Sequence, residues 1–419
     1  MRVSGTLRVP GDKSISHRAL ILSALAGGTS RVRGVLDSAD VRSTAHVLRA
    51  LGVHVPDVQG RDMAIVGVGR RGLRAPSVAL DCGNSGTTAR LMSGVLAASP
   101  FASRLTGDAS LSRRPMQRVT RPLALLGARF EFESGDGLPL TIHGGGHDGF
   151  TWRSETASAQ VKSALLLAGL VADVPVEVHE PHVTRDHTER MLRARGVDVR
   201  TEDGVVTLHP TGRLDAASMD VPGDPSSAAF FASLSALAAG GTLSIEHVCV
   251  NPSRSGAFAV LSRMGALVAF EDEGTDGGEP VARIVVSPRP LVATTIAPHE
   301  IPSLIDELPV LACVAARVDG ETRVTGAAEL RVKESDRITA VVRNLVAIGA
   351  DAEELQDGFV VRGSDRPLRG RIHTCGDHRV AMAFGVLGAL DGNEIDVDDR
   401  ECVAVSYPGF WSDLARVTR

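Results

Sequence analysis

The sequence predicts a mixed α/β or α+β fold made of two similar domains. The chain has 419 residues, more than one hydrophobic core usually supports, so two domains of about 200 residues are expected. The phrase Val-Pro-Gly-Asp-Lys-Ser at residues 9–14 returns as Val-Pro-Gly-Asp-Pro-Ser at residues 221–226. Each copy precedes an Ala-rich helical run that closes on Gly-Gly-Thr, which indicates an internal duplication.

A shorter repeat lies inside each half. Five amphipathic helical segments stop at a glycine, a residue that readily takes the left-handed conformation just past a helix end. These glycines are Gly52, Gly127, Gly196, Gly265 and Gly349, and each is followed by a short strand-like segment such as residues 53–55. Their spacing of roughly 70 residues predicts three units per half, each with two helices and several strands. This alternation excludes a helical bundle or a β-sandwich.

We expect the domain boundaries at the Pro-Gly turns of the duplicated phrase. One domain then comprises residues 11–222, and the other comprises residues 1–10 together with residues 223–419. The chain would therefore cross between the domains twice. The acidic, glycine-rich stretch at residues 271–278 is expected to be a solvated hairpin loop.

The composition excludes several classes of function. A net charge of −5 and only one Tyr and two Trp argue against a general nucleic-acid binder. The five cysteines form no Cys-x-x-Cys pair, so neither a disulfide framework nor a zinc site is expected. Since the sequence has neither a long apolar run nor a signal pattern, we expect a soluble cytoplasmic protein without membrane contact, and a monomer as the default.

Several short cationic segments fall at predicted turns into or out of helices. Small residues and main-chain N–H groups at a helix start suit an anionic oxygen, and Lys or Arg in the same turns would bind phosphate or carboxylate. A cleft between the halves is where these turns could meet around an anionic ligand. The segments are residues 13–18, 83–90, 112–116, 158–162, 184–189, 333–337 and 376–379.

These segments resemble the motifs of the 5-enolpyruvylshikimate-3-phosphate (EPSP) synthase family, in order and over residues 9–408. The matching motifs are Gly-Asp-Lys-Ser-Ile-Ser-His-Arg-Ala at 11–19, Gly-Asn-Ser-Gly-Thr at 83–87, Arg-Pro-Met at 114–116, Ser-Ala-Gln at 158–160, Arg-Val-Lys-Glu-Ser-Asp-Arg at 331–337 and Asp-His-Arg-Val-Ala-Met at 377–382. The resemblance implies two domains, each of three βαβαββ repeats, that close over an inter-domain active-site cleft.

The resemblance also implies a reaction. The family moves the enolpyruvyl group of phosphoenolpyruvate to the 5-hydroxyl of shikimate 3-phosphate and releases phosphate, through a tetrahedral intermediate. It uses no metal and no organic cofactor, and its partners are these two small molecules rather than nucleic acid or membranes. Because both substrates carry phosphate and carboxylate, fixed cations must offset their mutual repulsion.

Site residues follow from the resemblance, position by position. It implies that Asp306 takes the 5-hydroxyl proton, Glu334 protonates the methylene carbon, and Lys13 serves the bridging oxygen. Apolar neighbours of Asp306 would favour its protonated form, and Lys333 would oppose this. The shikimate 3-phosphate contacts would be Lys13, Ser14, Arg18, Ser158, Ala159, Gln160, Arg185, Asp306 and Lys333. The phosphoenolpyruvate contacts would be Lys13, Asn84, Gly86, Arg114, Gln160, Arg337 and Arg379, with no metal ligands.

Two alternatives stay open at this stage. The sister enzyme that transfers enolpyruvyl to UDP-N-acetylglucosamine commonly carries a Cys in its Arg-rich loop, and residues 108–114 contain none. A non-enzymatic phosphate- or RNA-binding module could use the same basic turns. The chain also departs from some family members, because Glu329 stands where they have Asn and no Lys lies near Tyr407.

Overall fold

The computed structural model describes residues 1–59 and 62–418 and divides into two compact units. The first unit comprises Gly11–Val221 and Thr275–Glu279, and the second comprises Met1–Pro10, Pro222–Gly274 and Pro280–Arg419. Within the described residues, no helix has the length and apolar character needed to cross a membrane.

The chain begins with β1 (Gly5–Leu7), a strand of the second unit. The first unit then contains, in chain order, α1 (Lys13–Leu25), β2 (Gly27–Arg33), α2 (Ala39–Ala50), β3 (Met63–Val68), β4 (Leu80–Asp81), α3 (Gly86–Ala98), β5 (Ala102–Thr106), α4 (Gln117–Ala124), β6 (Arg129–Phe132), β7 (Leu140–His143), β8 (Phe150–Arg153), α5 (Ala159–Ala172), β9 (Val176–His179), α6 (His187–Arg193), β10 (Asp198–Glu202), β11 (Val205–His209) and β12 (Ser218–Asp220).

The rest of the chain forms the second unit, except for the turn Thr275–Glu279. It contains α7 (Pro225–Ala236), β13 (Leu243–Cys249), α8 (Gly256–Met264), β14 (Leu267–Asp276), β15 (Glu279–Ser287), β16 (Thr295–Ile296), α9 (Leu308–Ala315), β17 (Gly320–Val324), α10 (Arg337–Ala347), β18 (Asp351–Leu355), β19 (Gly358–Gly363), β20 (Arg369–Ile372), α11 (His378–Gly388), β21 (Glu394–Val397) and α12 (Phe410–Val417).

One strand arrangement recurs through both units. In the first unit, β4 pairs in parallel with β5, β5 pairs antiparallel with β7, and β7 pairs antiparallel with β6. The orders β8-β9-β11-β10 in the first unit and β16-β17-β19-β18 in the second are the same, and each sheet is accompanied by two helices. The mixed α/β fold with βαβαββ repeats is therefore confirmed.

The two duplicated phrases explain why two sheets take their first strand from far away in the sequence. β1 directly precedes the first phrase and pairs in parallel with β13, whereas β12 directly precedes the second phrase and pairs in parallel with β2. The chain thus adds one strand to the sheet of one unit and then begins a helix in the other.

The predicted glycine stops are confirmed. Each of the five glycines follows a helix with a positive φ, between +80° at Gly196 and +116° at Gly265. One strand prediction is wrong. Residues 53–55 form a single antiparallel bridge, between His54 and Val66, and no strand.

The expectation of a solvated hairpin loop at residues 271–278 is confirmed in part. Residues 271–275 are exposed and the segment ends in the hairpin turn at 277–278, but residues 271–276 are the second half of β14 rather than a loop. The turn belongs to the first unit. Asp276 Oδ1 accepts from the main-chain N–H of Asp220 at 3.0 Å. Directly after the turn, Glu279 is fully buried and lies 2.9 Å from His187 Nδ1. Because a carboxylate is buried only where polar partners receive it, this turn packs as part of the first unit.

Each unit has three central helices that are buried on nearly every side, α1, α3 and α5 in the first unit and α7, α9 and α11 in the second. All six contain Ala, and α3, α5 and α11 also contain Gly, which permits close packing. A Cβ on Gly94 would lie 2.0 Å from the main-chain oxygen of Ala164, so α3 and α5 touch backbone to backbone. This packing fixes where the helices begin.

Candidate functional site

The predicted site residues of the first unit lie at the beginnings of its central helices. Asp12 caps α1 by accepting from the main-chain N–H of Ile15 at 2.8 Å, and Ser85 caps α3 by accepting from Thr88 at 3.1 Å. Ser158 caps α5 in the same way. Since helix N-termini carry partial positive charge, all three turns favour an anionic ligand.

Arg18 is a buried guanidinium whose hydrogen bonds all go to neutral oxygens in the part of the chain that the structure describes. Its Nε donates to Thr188 Oγ1 and its Nη2 donates to Ser163 Oγ, both at 2.7 Å. Its Nη1 donates to the main-chain oxygen of Ser14 at 2.8 Å. Burial lowers the pKa of Arg18 to about 10, so the group remains charged at neutral pH. A buried cation with neutral partners favours a bound anion.

Lys13, at the first position of α1, is held by an acidic side chain of α2. Its Nζ lies 3.1 Å from Asp40 Oδ2. Burial alone would raise the pKa of Asp40, but the charge of Lys13 and its hydrogen bond hold that pKa below its ordinary value. The ionised carboxylate therefore orients the ammonium group at the helix start.

The beginning of α3 brings two arginines close to the backbone. A Cβ on Gly86 would lie 2.8 Å from Arg90 Nη1 and 3.4 Å from Arg114 Nη1. Arg90 Nη1 also donates to Gln160 Oε1 at 2.8 Å, which ties α3 to α5. Burial, with repulsion from neighbouring arginines, lowers the pKa of Arg90 to about 9. Among the described residues, no carboxylate forms an ion pair with Arg90, so Gly86, Arg90, Arg114 and Gln160 form a second cationic position.

Asn84 orients Arg114 from the loop before α3. Arg114 Nη2 donates to Asn84 Oδ1 at 2.7 Å, and Asn84 Nδ2 donates to Asp108 Oδ2 at 2.6 Å. Ala159 is the first residue of α5, and the half-buried Arg185 lies outside the central helices, two residues before α6.

Lys162 belongs to the cationic segment 158–162 that the sequence predicts to bind an anion, but its ammonium group is paired inside the first unit. Its Nζ lies 2.7 Å from Glu180 Oε2 and 2.7 Å from Glu189 Oε1, and all three side chains are buried. Burial raises the pKa of Glu189 despite the opposing charge of Lys162. Lys162 therefore forms an internal ion cluster between α5 and α6, behind the first turn of α5.

In the second unit, three cations surround Asp306, which lies in a 3-10 turn, Ile305–Glu307, before α9. Its Oδ1 lies 3.3 Å from Arg337 Nη1 and 3.8 Å from Lys333 Nζ. Its Oδ2 lies 3.9 Å from Arg379 Nη2, and its main-chain oxygen accepts from Arg379 Nη1 at 3.2 Å. The apolar setting inferred for this carboxyl is incomplete, because charged groups lie on several sides.

Arg337 connects the predicted base, the predicted acid and the cap of α11. Besides Asp306, its Nη2 donates to Glu334 Oε2 at 2.6 Å and its Nε donates to Asp377 Oδ2 at 2.8 Å. Burial alone would raise the pKa of Glu334, but the charge of Arg337 holds it below its ordinary value. The same two influences lower the pKa of Asp377. Glu334 is therefore ionised in this state.

Several functional neighbours were not assigned as site residues from the sequence. Asp40 and Ser163 contact predicted ligand residues, but nothing in their local sequence signals this. Thr188 and Arg90 fall inside the cationic segments 184–189 and 83–90, but neither was assigned a ligand. Arg90 stands four residues after Gly86 in a helix and so shares its face. Glu329, a departure noted in the sequence, lies 3.4 Å from Lys333 Nζ.

The repeat architecture is that of the enolpyruvyl transferases. The enolpyruvyl transferase NikO from Streptomyces tendae superposes with a TM-score of 0.76 at 18% identity, covering 99% of this chain and 95% of that one, which shows the shared fold. EPSP synthase from Acinetobacter baumannii superposes with a TM-score of 0.91 at 42% identity, covering 100% of this chain and 96% of that one.

Sequence comparison specifies the family. The family model for EPSP synthase (3-phosphoshikimate 1-carboxyvinyltransferase) matches residues 1–414. A 3-phosphoshikimate 1-carboxyvinyltransferase from Sulfurihydrogenibium sp. is 45% identical over 423 aligned positions, covering 100% of this chain and 98% of that protein. The chain belongs to the EPSP synthase family.

Proposed function

We propose that this chain transfers the enolpyruvyl group of phosphoenolpyruvate to the 5-hydroxyl of shikimate 3-phosphate and releases phosphate. Membership of the EPSP synthase family supports the reaction. The cationic helix starts of the first unit and the cation-ringed carboxylate of the second supply the binding and acid–base groups that it requires.

Shikimate 3-phosphate is bound through its phosphate and hydroxyl groups. The buried charge of Arg18, satisfied only by neutral oxygens, supports the assignment of its guanidinium to the phosphate. Helix starts at α1 and α5 add hydroxyl and main-chain N–H donors. The proposed set is Lys13, Ser14, Arg18, Ser158, Ala159, Gln160, Arg185, Asp306 and Lys333.

Phosphoenolpyruvate is bound by three arginines. In the first unit Arg114 lies beside Gly86 at the start of α3 and is oriented by Asn84. In the second unit Arg337 and Arg379, at the starts of α10 and α11, lie beside Asp306. The proposed set is Lys13, Asn84, Gly86, Arg114, Gln160, Arg337 and Arg379. Their charges offset the repulsion between two anionic substrates.

The addition step uses Asp306 and Glu334. Asp306 takes the proton of the 5-hydroxyl while that oxygen attacks C2 of phosphoenolpyruvate, and Glu334 delivers a proton to C3 to give a methyl group. In the elimination step the methyl carbon gives its proton back to Glu334, the C2–C3 double bond re-forms as the C2–O bond to phosphate breaks, and Lys13 protonates the departing bridging oxygen. The proton that Asp306 took from the 5-hydroxyl then restores Lys13, so protons and electrons balance and phosphate leaves.

Glu334 must acquire a proton before it can act as the acid. Its contact with Arg337 opposes this in the state described, since that contact favours the carboxylate. We infer that binding of the phosphoenolpyruvate carboxylate to Arg337 displaces Glu334. Without the charge of Arg337 beside it, the released carboxylate then takes up a proton more readily. Binding of phosphoenolpyruvate thereby promotes protonation of Glu334.

The observation that carries the proposal is the position of Asp306 within 4 Å of Lys333, Arg337 and Arg379, with Glu334 on the same Arg337. The test is phosphate release from phosphoenolpyruvate with and without shikimate 3-phosphate. We expect release only with both substrates. Asp306→Asn and Lys13→Met should lower kcat about 100-fold or more, the usual range for loss of a general acid or base.

A matched control is Asp351→Asn, which removes an exposed carboxylate of the same unit on β18 and should leave the rate unchanged. Release that requires UDP-N-acetylglucosamine instead would assign the chain to the sister reaction. Release with neither acceptor, together with salt-sensitive RNA binding, would favour the binding-module alternative. The proposal includes a monomeric cytoplasmic enzyme, an expectation that rests on composition, and light scattering on the purified protein tests its oligomeric state.

A further inference from the structure

The second copy of the duplicated phrase has no role in the reaction proposed above. It begins α7 in the second unit, and Asp224, Pro225 and Ser226 stand where the first copy has Asp12, Lys13 and Ser14. Asp224 caps α7 by accepting from the main-chain N–H of Ser226 at 2.7 Å. The copy has Pro in place of the lysine but retains the serine, and the Ser226 hydroxyl is not part of the helix cap.

That hydroxyl belongs to a buried polar chain. Ser226 Oγ is hydrogen-bonded to Glu307 Oε1, and Arg254 Nη2 donates to Ser226 Oγ at 3.1 Å. Arg254 Nη2 also donates to Asp224 Oδ1 at 3.1 Å. Since Arg254 donates to the serine oxygen, the serine proton is directed at Glu307. Ser226, Arg254 and Glu307 are all buried, and among the described residues Glu307 Oε1 is bonded to Ser226 whereas Glu307 Oε2 has no hydrogen-bond partner.

This series of buried polar side chains ends at Arg379, a residue proposed to bind phosphoenolpyruvate. Glu307 directly follows Asp306, and its Oε1 lies 3.8 Å from Arg379 Nη1. The same Nη1 donates to the main-chain oxygen of Asp306 at 3.2 Å. Arg379 therefore contacts two consecutive residues, Asp306 and Glu307. Glu307 is in turn hydrogen-bonded to Ser226 of α7.

Glu307 contacts Arg379 without a close hydrogen bond. Removal from water raises the pKa of Glu307, the nearby Arg379 opposes this, and the neighbouring Asp306 adds to it. The 3.8 Å between Glu307 Oε1 and Arg379 Nη1 exceeds hydrogen-bond distance, so Glu307 limits where the guanidinium can lie while Arg379 can still receive an anionic ligand.

We propose that Glu307 is a positioning residue for Arg379, supported by Ser226 and Arg254 of the second duplicated phrase and its loop. The inference rests on the proposed function, in which Arg379 binds phosphoenolpyruvate. Glu307 acts on affinity for this substrate through Arg379 and does not itself exchange a proton with either substrate. The second copy of the phrase thus serves the same substrate pair indirectly, as support for a ligand residue.

The test compares four variants of the full-length protein. Ser226→Ala and Glu307→Ala remove the support, and Glu307→Gln keeps its shape and an amide oxygen for Ser226. The matched control is Ser235→Ala in the same helix, whose buried Oγ donates to the main-chain oxygen of Val286 at 2.9 Å, away from the chain described. Steady-state KM values for both substrates are measured, with thermal unfolding to compare stability and calorimetric titration of phosphoenolpyruvate.

We expect Ser226→Ala and Glu307→Ala to raise KM and Kd for phosphoenolpyruvate roughly 3- to 10-fold, the value of one lost hydrogen bond. KM for shikimate 3-phosphate should change less than about twofold. Glu307→Gln should restore most of the lost affinity. Ser235→Ala should lower the unfolding temperature but leave both KM values unchanged, which separates positioning from general stability.

Equal increases in both KM values, an unchanged Kd in Glu307→Ala, or an increase in Ser235→Ala as large as in Ser226→Ala would overturn the inference. So would a Glu307→Gln variant as impaired as Glu307→Ala. If the wild-type protein binds phosphoenolpyruvate but releases no phosphate, the proposed function fails, and the calorimetric comparison still decides the role of Glu307. If the wild-type protein does not bind phosphoenolpyruvate, both fail.

Discussion

Asp377 holds Arg337 by two contacts, from Nε to Oδ2 at 2.8 Å and from Nη2 to Oδ1 at 3.4 Å, with both side chains buried. The same carboxylate caps α11 by accepting from the main-chain N–H of Arg379 at 2.9 Å. One acidic residue therefore fixes the starts of both helices that carry the proposed phosphoenolpyruvate arginines of the second unit.

Replacing Asp377 with Ala should destabilise the protein strongly. The change leaves the Arg337 guanidinium buried without its main partner, and loss of one member of a buried pair costs about 3–5 kcal/mol. The control is Asp396→Ala, which breaks an exposed pair with Arg371 in the same unit and should cost less than about 1 kcal/mol. Urea unfolding measures both values. Similar small losses would mean that Asp377 contributes little.

Local sequence patterns predicted much of this arrangement. Glycines such as Gly196 and Gly265 marked helix ends, because the left-handed conformation is a local requirement. Caps and cations placed the site residues at helix starts for the same reason. Contacts between distant segments were not predictable. Lys162 turns inward because Glu180 and Glu189 receive it, and Glu307 meets Ser226 across 81 positions of sequence.

Gly86→Ala should impair binding while leaving the fold stable. The added Cβ would lie 2.8 Å from Arg90 Nη1, so that guanidinium must shift, and 3.4 Å from Arg114 Nη1, which brings the methyl group into contact with the proposed phosphoenolpyruvate residue. We expect KM for phosphoenolpyruvate to rise about tenfold, equivalent to one charge-assisted contact, with little change in KM for shikimate 3-phosphate.

Gly94→Ala, in the same helix, supplies the contrasting control for Gly86→Ala. Its Cβ would meet the main-chain oxygen of Ala164 at 2.0 Å, which only a backbone shift can relieve. Overpacking of this kind costs about 1–3 kcal/mol or more, so this variant should lose stability. Denaturation and steady-state kinetics on both variants test the distinction, and equal destabilisation of the two would contradict it.

His17 should make the protein less stable as the pH falls. Complete burial lowers the pKa of His17 from 6.5 to about 3; Asp40 opposes this, whereas Lys13 and Arg18 add to it. The unfolded chain takes up a proton near pH 6.5 but the folded chain does not until about pH 3. Stability from this residue is therefore present above pH 6.5 and is lost between these values.

Between pH 7 and pH 5 the loss from His17 should be about 2 kcal/mol. His17→Gln removes the titrating group, so the free energy of unfolding should fall by that much less over the same interval. His46→Gln, an exposed histidine on α2, is the control and should follow the wild-type protein. Urea unfolding at both pH values provides the comparison. Parallel pH dependences of the wild-type protein and His17→Gln would show that His17 is accessible to protons when folded.

All three lysines of the chain lie in or behind the proposed site, which makes amine labelling a direct test of it. Arginine supplies the other basic side chains and does not react with amine reagents under mild conditions, since it stays protonated. Lys13 and Lys333 keep 26% and 24% of their side-chain surface exposed, whereas Lys162 keeps 2% and is paired with two carboxylates. Labelling should therefore occur at Lys13 and Lys333 and spare Lys162.

Peptide mass spectrometry measures the labelled fraction at each lysine, and an activity assay is run on the same samples. Activity should fall in proportion to labelling of Lys13 and Lys333, and the presence of both substrates should slow that labelling. Rapid labelling of Lys162 in the folded protein, or full activity after Lys13 has reacted, would contradict the assignment.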